Sequence, residues 1–223
     1  MHTPRSPLQR FIDPATTINE VLFGLIMTLT FTLGAGILIE GEGREAAREL
    51  LIAALGCNVA WGFIDGAFYV IDQLFERGRR RRIGQMIRNA QTPAQAQSIV
   101  ASELDDLLGS LASEAERAAL YERIVENTKA RNAVANRVTR ADLSGAIVSG
   151  MLVIVSCVPA AIPFVFLDDA RRALRLSNAI LLAMLFFTGF RWAQHTLHNP
   201  WLAGLSFLLG GVVLVVAAIL LGG

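Results

Sequence analysis

Residues 143–167 read LSGAIVSGMLVIVSCVPAAIPFVFL, an unbroken run without a single charged side chain. About 20 helical residues cross the roughly 30 Å hydrocarbon core of a bilayer, so this run is long enough to span a membrane. Four further apolar stretches of similar length lie at 18–39, 50–74, 176–194 and 201–221. Hydrophobic residues make up 53% of the chain and charged residues only 17%, which is low for a soluble domain. The sequence therefore predicts an all-α integral membrane protein with five transmembrane helices.

A polar stretch, 75–142, separates the second and third apolar segments. Apolar residues recur in it at helical spacing, Thr92-Pro93 is a typical helix start, and Ser113–Glu116 fits a capping box. We expect a small helical domain here. The predicted organisation is a cytoplasmic N-terminal segment, two transmembrane helices, a cytoplasmic helical domain and three further transmembrane helices, at 1–17, 18–74, 75–142 and 143–223.

The distribution of basic residues predicts the orientation, because cytoplasmic flanks of membrane helices are enriched in Lys and Arg. With five crossings, the N-terminus, the central domain and the loop before Pro200 share one side, which carries 15 of the 20 basic residues. That side is expected to be cytoplasmic, with the C-terminus opposite and a bacterial inner membrane as the location. Anionic lipid head groups are the expected partners of a basic run beside the second segment, Arg79, Arg80, Arg81 and Arg82.

Two acidic residues lie inside the first two apolar segments, Glu20 in the first and Asp65 in the second. A carboxylate at membrane depth costs roughly 2.5–3.5 kcal/mol on insertion scales, so such acids usually face a partner, a cavity or an ion path. No Lys or Arg precedes Arg191 within any apolar segment, which makes an intramembrane salt bridge hard to assemble. The pattern favours an exchangeable cation or a protonated carboxyl, although interfacial solvation of Glu20 and a structural role for Asp65 stay open.

Other polar residues follow the two acids at intervals of seven, so they lie on the same helix faces with a drift of about 20° per step. On the second helix these are Asn58 and Asp72, which we expect to lie on the ion path with the two acids, although Asp72 is near the cytoplasmic end and solvation there stays open. On the first helix Met27 follows Glu20, and a thioether beside carboxylates would suit a first-row divalent metal, although core packing is the commoner role of a membrane Met. Gly62 and Gly66 bracket Asp65 in a GxxxG pattern, which predicts close approach of another helix.

These features together resemble the vacuolar iron transporter family, whose members have five helices and a helical domain between the second and third. Asn19-Glu20 falls where that family has an Asn-Asp pair, and Asp65 falls near the acid of its Gly-Glu-Tyr motif. Pro159 and Pro163 resemble its paired prolines, and the stretch Leu205–Gly211 resembles its Gly-rich last helix.

The resemblance implies a homodimer that exports Fe²⁺ or Mn²⁺ from the cytosol in exchange for protons. Helices one and two would line a path near the dimer axis, with Glu20 and Asp65 as metal ligands and proton carriers and Met27 as a further ligand. The metal is cargo, and no tightly bound cofactor is expected. In the central domain same-face acids are weaker candidate metal ligands, namely Glu103 and Asp106, and Glu122 and Glu126.

The residues leave a second function open, that of a membrane scaffold or regulator whose cytoplasmic helices bind a protein partner or anionic lipid. In that case Asp65 would serve helix packing. No nucleophile–base pair, phosphate loop or metalloprotease motif occurs in the sequence, so an enzyme is not expected, and neither is a nucleic-acid partner.

Overall fold

The computed structural model describes residues 12–38, 43–131 and 135–221, and every regular element in these ranges is helical. The α-helices are α1 Pro14–Leu38, α2 Gly43–Asn89, α3 Pro93–Leu108, α4 Glu114–Ala130, α5 Arg140–Phe166, α6 Ala170–Trp192 and α7 Pro200–Leu220. Within the described residues, five helices are long and apolar enough to cross a membrane: α1, α2, α5, α6 and α7. The prediction of an all-α protein with five membrane-spanning helices is therefore confirmed.

The chain forms two compact units, one made of the residues up to Tyr69 and from Arg140 onward, the other of Val70–Thr139. In the first unit α1, α5, α6 and α7 share an apolar core. Leu25 and Leu29 of α1 are fully buried in it, as are Leu181 and Leu185 of α6. Ala160 of α5 and Val215 of α7 complete this core.

Short polar side chains begin three of the spanning helices, where the first backbone N–H groups have no partner within the helix. Asp13 accepts from the N–H groups of Ala15 and Thr16 at the start of α1. Asp169 and Asn199 do the same for α6 and α7. These caps are local features of the chain and place the helix starts independently of packing.

Helix α2 has 47 residues and passes without interruption through the basic run that follows the second apolar segment. The second apolar segment ends at Leu74, and the helix continues beyond it to Asn89. Arginine is a good helix former, so a change from apolar to charged side chains does not end a helix. At 1.5 Å per residue α2 is about 70 Å long, more than twice the thickness of a bilayer core.

Helix α5 includes both Pro159 and Pro163 and runs on as one helix to Phe166. Proline has no N–H, so the carbonyls four residues earlier, at Val155 and Pro159, lose their usual donor within the helix. Just before these prolines the Ser156 hydroxyl donates back to the Val153 carbonyl at 2.7 Å.

The second unit contains α3 and α4 and has its own core, made of Ile87, Ala96, Val100, Tyr121 and Val125. Helix α3 begins as predicted, with the Thr92 hydroxyl accepting from the N–H of Gln95 and Pro93 in the first turn. Helix α4 begins with the predicted capping box. Ser113 accepts from the N–H of Glu116, and the Glu116 carboxylate accepts from the N–H of Ser113 at 2.9 Å.

Candidate ion site

Helices α1 and α2 run antiparallel and meet along a seam of facing side chains. Glu20 faces Asp65 at one point of the seam, and the Phe23 ring packs edge-on against Trp61 with centroids 5.4 Å apart. Further along, the Asn58 side chain contacts Thr28. Residue numbers thus rise along α1 as they fall along α2, and the polar side chains of the two helices face each other.

The facing acids are the most polar point of the seam. The Glu20 and Asp65 carboxyl groups lie within hydrogen-bonding reach of each other, and both residues are partly buried. Oδ2 of Asp65 is buried and has no hydrogen-bond partner among the described residues. Two carboxylates this close repel each other unless a proton or a cation lies between them. The described part of α1 contains no Lys or Arg, so the neutralising charge does not come from that helix.

Helix α5 supplies a third group to this point. The Ser149 hydroxyl, which is fully buried, donates a 2.6 Å hydrogen bond to Oε1 of Glu20. Ser149 was not among the residues identified from sequence, because serine is common in membrane helices and its partner lies 129 positions away. The only sequence signal is its position next to Gly150 in a small-residue stretch of α5.

Small residues let α5 approach the acid-bearing face of α2. A Cβ added to Gly62 would lie 2.7 Å from the Gly150 carbonyl oxygen, and one added to Gly66 would lie 2.9 Å from that of Ala146. Both distances are too short for any side chain, so the backbones of α2 and α5 are in direct contact. The close helix approach predicted from the GxxxG pattern is present, and the partner is α5 of the same chain.

A second polar point lies about two helical turns from the acids. Asn58 is 0% exposed, and its Nδ2 donates to Thr28 Oγ1 at 3.1 Å and to the Ala54 carbonyl at 3.0 Å. Its Oδ1 atom is buried and has no partner within the described ranges. Thr28, like Ser149, was not identified from sequence, since a threonine that bonds to its own helix is unremarkable in a membrane protein.

A cavity of about 670 Å³ opens beyond this second point, between the start of α2, the end of α5 and the start of α6. Glu45, Arg48 and Leu51 of α2 line it together with Phe164 of α5 and Ala173 of α6. Leu51, Asn58 and Asp65 follow one another at intervals of seven. The cavity, the amide and the acid therefore lie in order along one face of α2.

The remaining residues singled out from sequence lie elsewhere. Met27 is partly buried on α1, and Asp72 is exposed and belongs to the second unit. In that unit Arg79 forms an ion pair with Glu103, with 2.7 Å between Nη2 and Oε2. The three arginines that follow it are exposed: Arg80, Arg81 and Arg82. The other candidate acids there are also exposed: Asp106, Glu122 and Glu126.

Clusters of three or more His, Cys, Asp and Glu side chains with metal-binding geometry do not occur in the parts of the chain that the structure describes. The acids of the second unit are thus not gathered into such a cluster. Glu20 and Asp65 form a pair without a third ligand of these types.

The five membrane-spanning helices identify the chain as an integral membrane protein, and a pair of acids lies between its first two helices. The profile of the VIT family matches residues 77–223, and the chain belongs to that family. Members are membrane transporters, and membership implies metal ions as cargo. The match begins after Glu20 and Asp65, so the two acids lie outside the matched range. No curated protein matches the chain significantly.

Proposed function

We propose that this protein exports Fe²⁺ or Mn²⁺ from the cytosol in exchange for protons. The observation that carries the proposal is the pair of facing carboxyl groups at Glu20 and Asp65, with no basic residue on α1 to neutralise them. A divalent ion with oxygen ligands can neutralise such a pair, and so can protons that bind the carboxylates. The two would compete for the same oxygens, and this competition couples metal flux to proton flux.

Ser149 has a supporting role in this mechanism. Its hydroxyl occupies one side of Oε1 of Glu20 and so orients the carboxylate toward Asp65. The thioether of Met27, the further ligand suggested by the family resemblance, lies about 10 Å along α1 from Glu20, so it would contact the ion only after the ion has left the acids. Asp72 would act only as an exposed acid that attracts cations.

The proposed orientation places the N-terminus and residues 75–142 in the cytosol of a bacterial cell, on the evidence of the basic residues there. We further propose a homodimer, as the family resemblance implies. Helix α2 offers exposed aromatic side chains for such contact, with Phe63 76% exposed and Phe75 69% exposed.

Metal flux in proteoliposomes tests the function. Purified protein is reconstituted with an internal Mn²⁺- or Fe²⁺-sensitive dye and a pH gradient. Gradient-dependent metal uptake is expected in the wild type and should be lost in Asp65→Asn. Glu49→Gln, the same acid-to-amide change at an exposed position of α2, serves as the control and should retain flux.

Two results would contradict the proposal. Folded wild-type protein that moves no first-row divalent metal in either orientation would exclude transport of these ions and favour the scaffold function. Metal flux that neither depends on the pH gradient nor moves protons would retain transport and exclude the exchange mechanism.

A further inference from the structure

We propose that Asn58, together with Thr28, forms a second cation station, which takes the partly hydrated divalent ion between the acid pair and the cavity lined by Leu51. This inference rests on the proposed transport function. It adds a neutral binding site made of amide and hydroxyl oxygens to the charged one.

The hydrogen bonding around Asn58 leaves acceptors but no donors. Both N–H groups of its amide are committed, one to Thr28 Oγ1 and one to the Ala54 carbonyl. The Thr28 hydroxyl donates its hydrogen to the Gly24 carbonyl at 2.7 Å, and the Thr32 hydroxyl one turn later donates to the Thr28 carbonyl at 3.0 Å. Every polar hydrogen of these three side chains is therefore used within α1 and α2.

The unused groups are lone pairs on oxygen. Oδ1 of Asn58 has no partner among the described residues, and the three side chains are at most 1% exposed. Buried polar atoms in proteins are nearly always paired, so an unpaired acceptor calls for a donor or a cation. Amide and hydroxyl oxygens are hard ligands that suit Mn²⁺ or Fe²⁺ with part of its water shell kept.

The position of Asn58 fits a station between two others. It lies seven residues from Asp65 and seven from Leu51, about 10 Å in each direction along α2. An ion that leaves the acids for the cavity passes this point if it follows the α2 face. A neutral station binds more weakly than a charged one and takes up no proton, so it permits onward release and leaves proton exchange to the acids.

The first test asks whether water and cations reach position 58. Asn58→Cys and Leu29→Cys are made in a Cys57→Ala, Cys157→Ala background and reconstituted in liposomes. Leu29 is equally buried but belongs to the apolar core, so it is the matched control. The small cation 2-aminoethyl methanethiosulfonate should modify position 58 at least about tenfold faster than position 29, because thiol reactivity requires access. Added Mn²⁺ should slow the reaction.

The second test measures Mn²⁺ flux in Asn58→Leu, with Asn178→Leu as the control. Asn178 also carries a buried, unpartnered Oδ1, but it lies on α6. The Asn58 variant should lose about tenfold in maximal flux with little change in the KM for Mn²⁺, since the entry site at the acids is intact. The Asn178 variant should transport like the wild type.

The outcomes separate this proposal from the function on which it rests. A thiol at position 58 that reacts as slowly as one at position 29 would show a dry site or a trapped water and overturn the station. A reactive thiol combined with normal flux in Asn58→Leu would place the site off the path and overturn it as well. If the wild type shows no flux, transport fails, and faster modification of position 58 than of position 29 alone decides whether small cations reach this point.

Discussion

The hydroxyl of Ser149 on α5 donates a 2.6 Å hydrogen bond to the carboxylate of Glu20 on α1. This contact ties one of the two facing acids to a third helix. The two acids are therefore held by contacts from α1, α2 and α5, and under the proposed function a change on any of these helices should alter cation binding.

We expect Ser149→Ala to weaken metal binding without abolishing transport. A hydrogen bond to a charged group contributes about 1.5–3 kcal/mol, which corresponds to about 13- to 160-fold in affinity. The KM for Mn²⁺ flux should rise accordingly. Ser144→Ala is the control, since that hydroxyl bonds only to the Ala141 carbonyl of its own helix. An unchanged KM in Ser149→Ala would argue that the bond does not orient Glu20.

The two acids should behave as one functional unit. Glu20→Gln and Asp65→Asn are each expected to abolish gradient-dependent flux, and the double variant should be no worse than either single one, because loss of one carboxyl removes the shared cation. Proteoliposome flux measures this. Independent, additive losses would indicate two separate binding steps.

Asp65→Asn should leave the fold intact. The substitution keeps the side-chain shape, so the free energy of unfolding should change by less than about 1 kcal/mol. Thermal unfolding in detergent, compared with the wild type, checks this expectation. A large loss of stability without any effect on metal binding would instead support the scaffold function, in which Asp65 serves helix packing.

Gly150→Ala should destabilise the bundle. A Cβ at this position would collide with the backbone of Gly62, and the helices would have to separate, at a cost of about 1–3 kcal/mol. Gly210→Ala is the matched control, because a Cβ at that position of α7 meets no atom within 4 Å. The control should gain up to about 1 kcal/mol from the better helix propensity of alanine. Equal melting temperatures for the two variants would contradict the direct contact of α2 with α5.

The first turn of α4 should loosen in acid. The hydrogen bonds from the Ser113 side chain and backbone lower the pKa of Glu116 below its ordinary value of 4.5. A carboxyl with a lowered pKa in the fold stabilises it above the ordinary pKa, and that contribution disappears as the pH falls through the lowered value. Amide exchange in α4, measured in the full chain, should therefore speed up in this range. Glu116→Gln keeps an acceptor without a charge and should remove the pH dependence.

The exposed arginines after the second span should bind anionic lipid. Each Arg near a negatively charged surface contributes about 1 kcal/mol, so Arg80→Ser, Arg81→Ser and Arg82→Ser combined should abolish most of the stabilisation by added phosphatidylglycerol. Melting temperature in detergent with and without this lipid gives the measurement. The same triple change at three exposed arginines of α6 is the control: Arg171, Arg172 and Arg175. Equal lipid effects in both triple variants would show that the basic run has no special role.

The sequence by itself determined the class of this protein and the local ends of its helices. Five apolar runs are long enough to span a bilayer, and the Thr92 and Ser113 caps act within four residues of the chain. The sequence also identified Asp65 as unusual, because a carboxylate in an apolar run is costly wherever that run packs. The second apolar segment ends at Leu74, yet α2 continues to Asn89, since hydropathy marks the membrane core and backbone hydrogen bonding decides where a helix ends.

Only the tertiary structure decided what each polar side chain meets. Whether Glu20 faces Asp65 depends on the register of two helices that are separated by a loop, and the composition of neither helix sets that register. Ser149 reaches Glu20 because α5 packs closely against α1, so closely that a Cβ added to Gly24 would lie 2.7 Å from the Val153 carbonyl oxygen. Helical periodicity places a residue on a face of its own helix. Packing of backbones from distant parts of the chain determines which other face it meets, and this packing brings the polar stripes of α1 and α2 together.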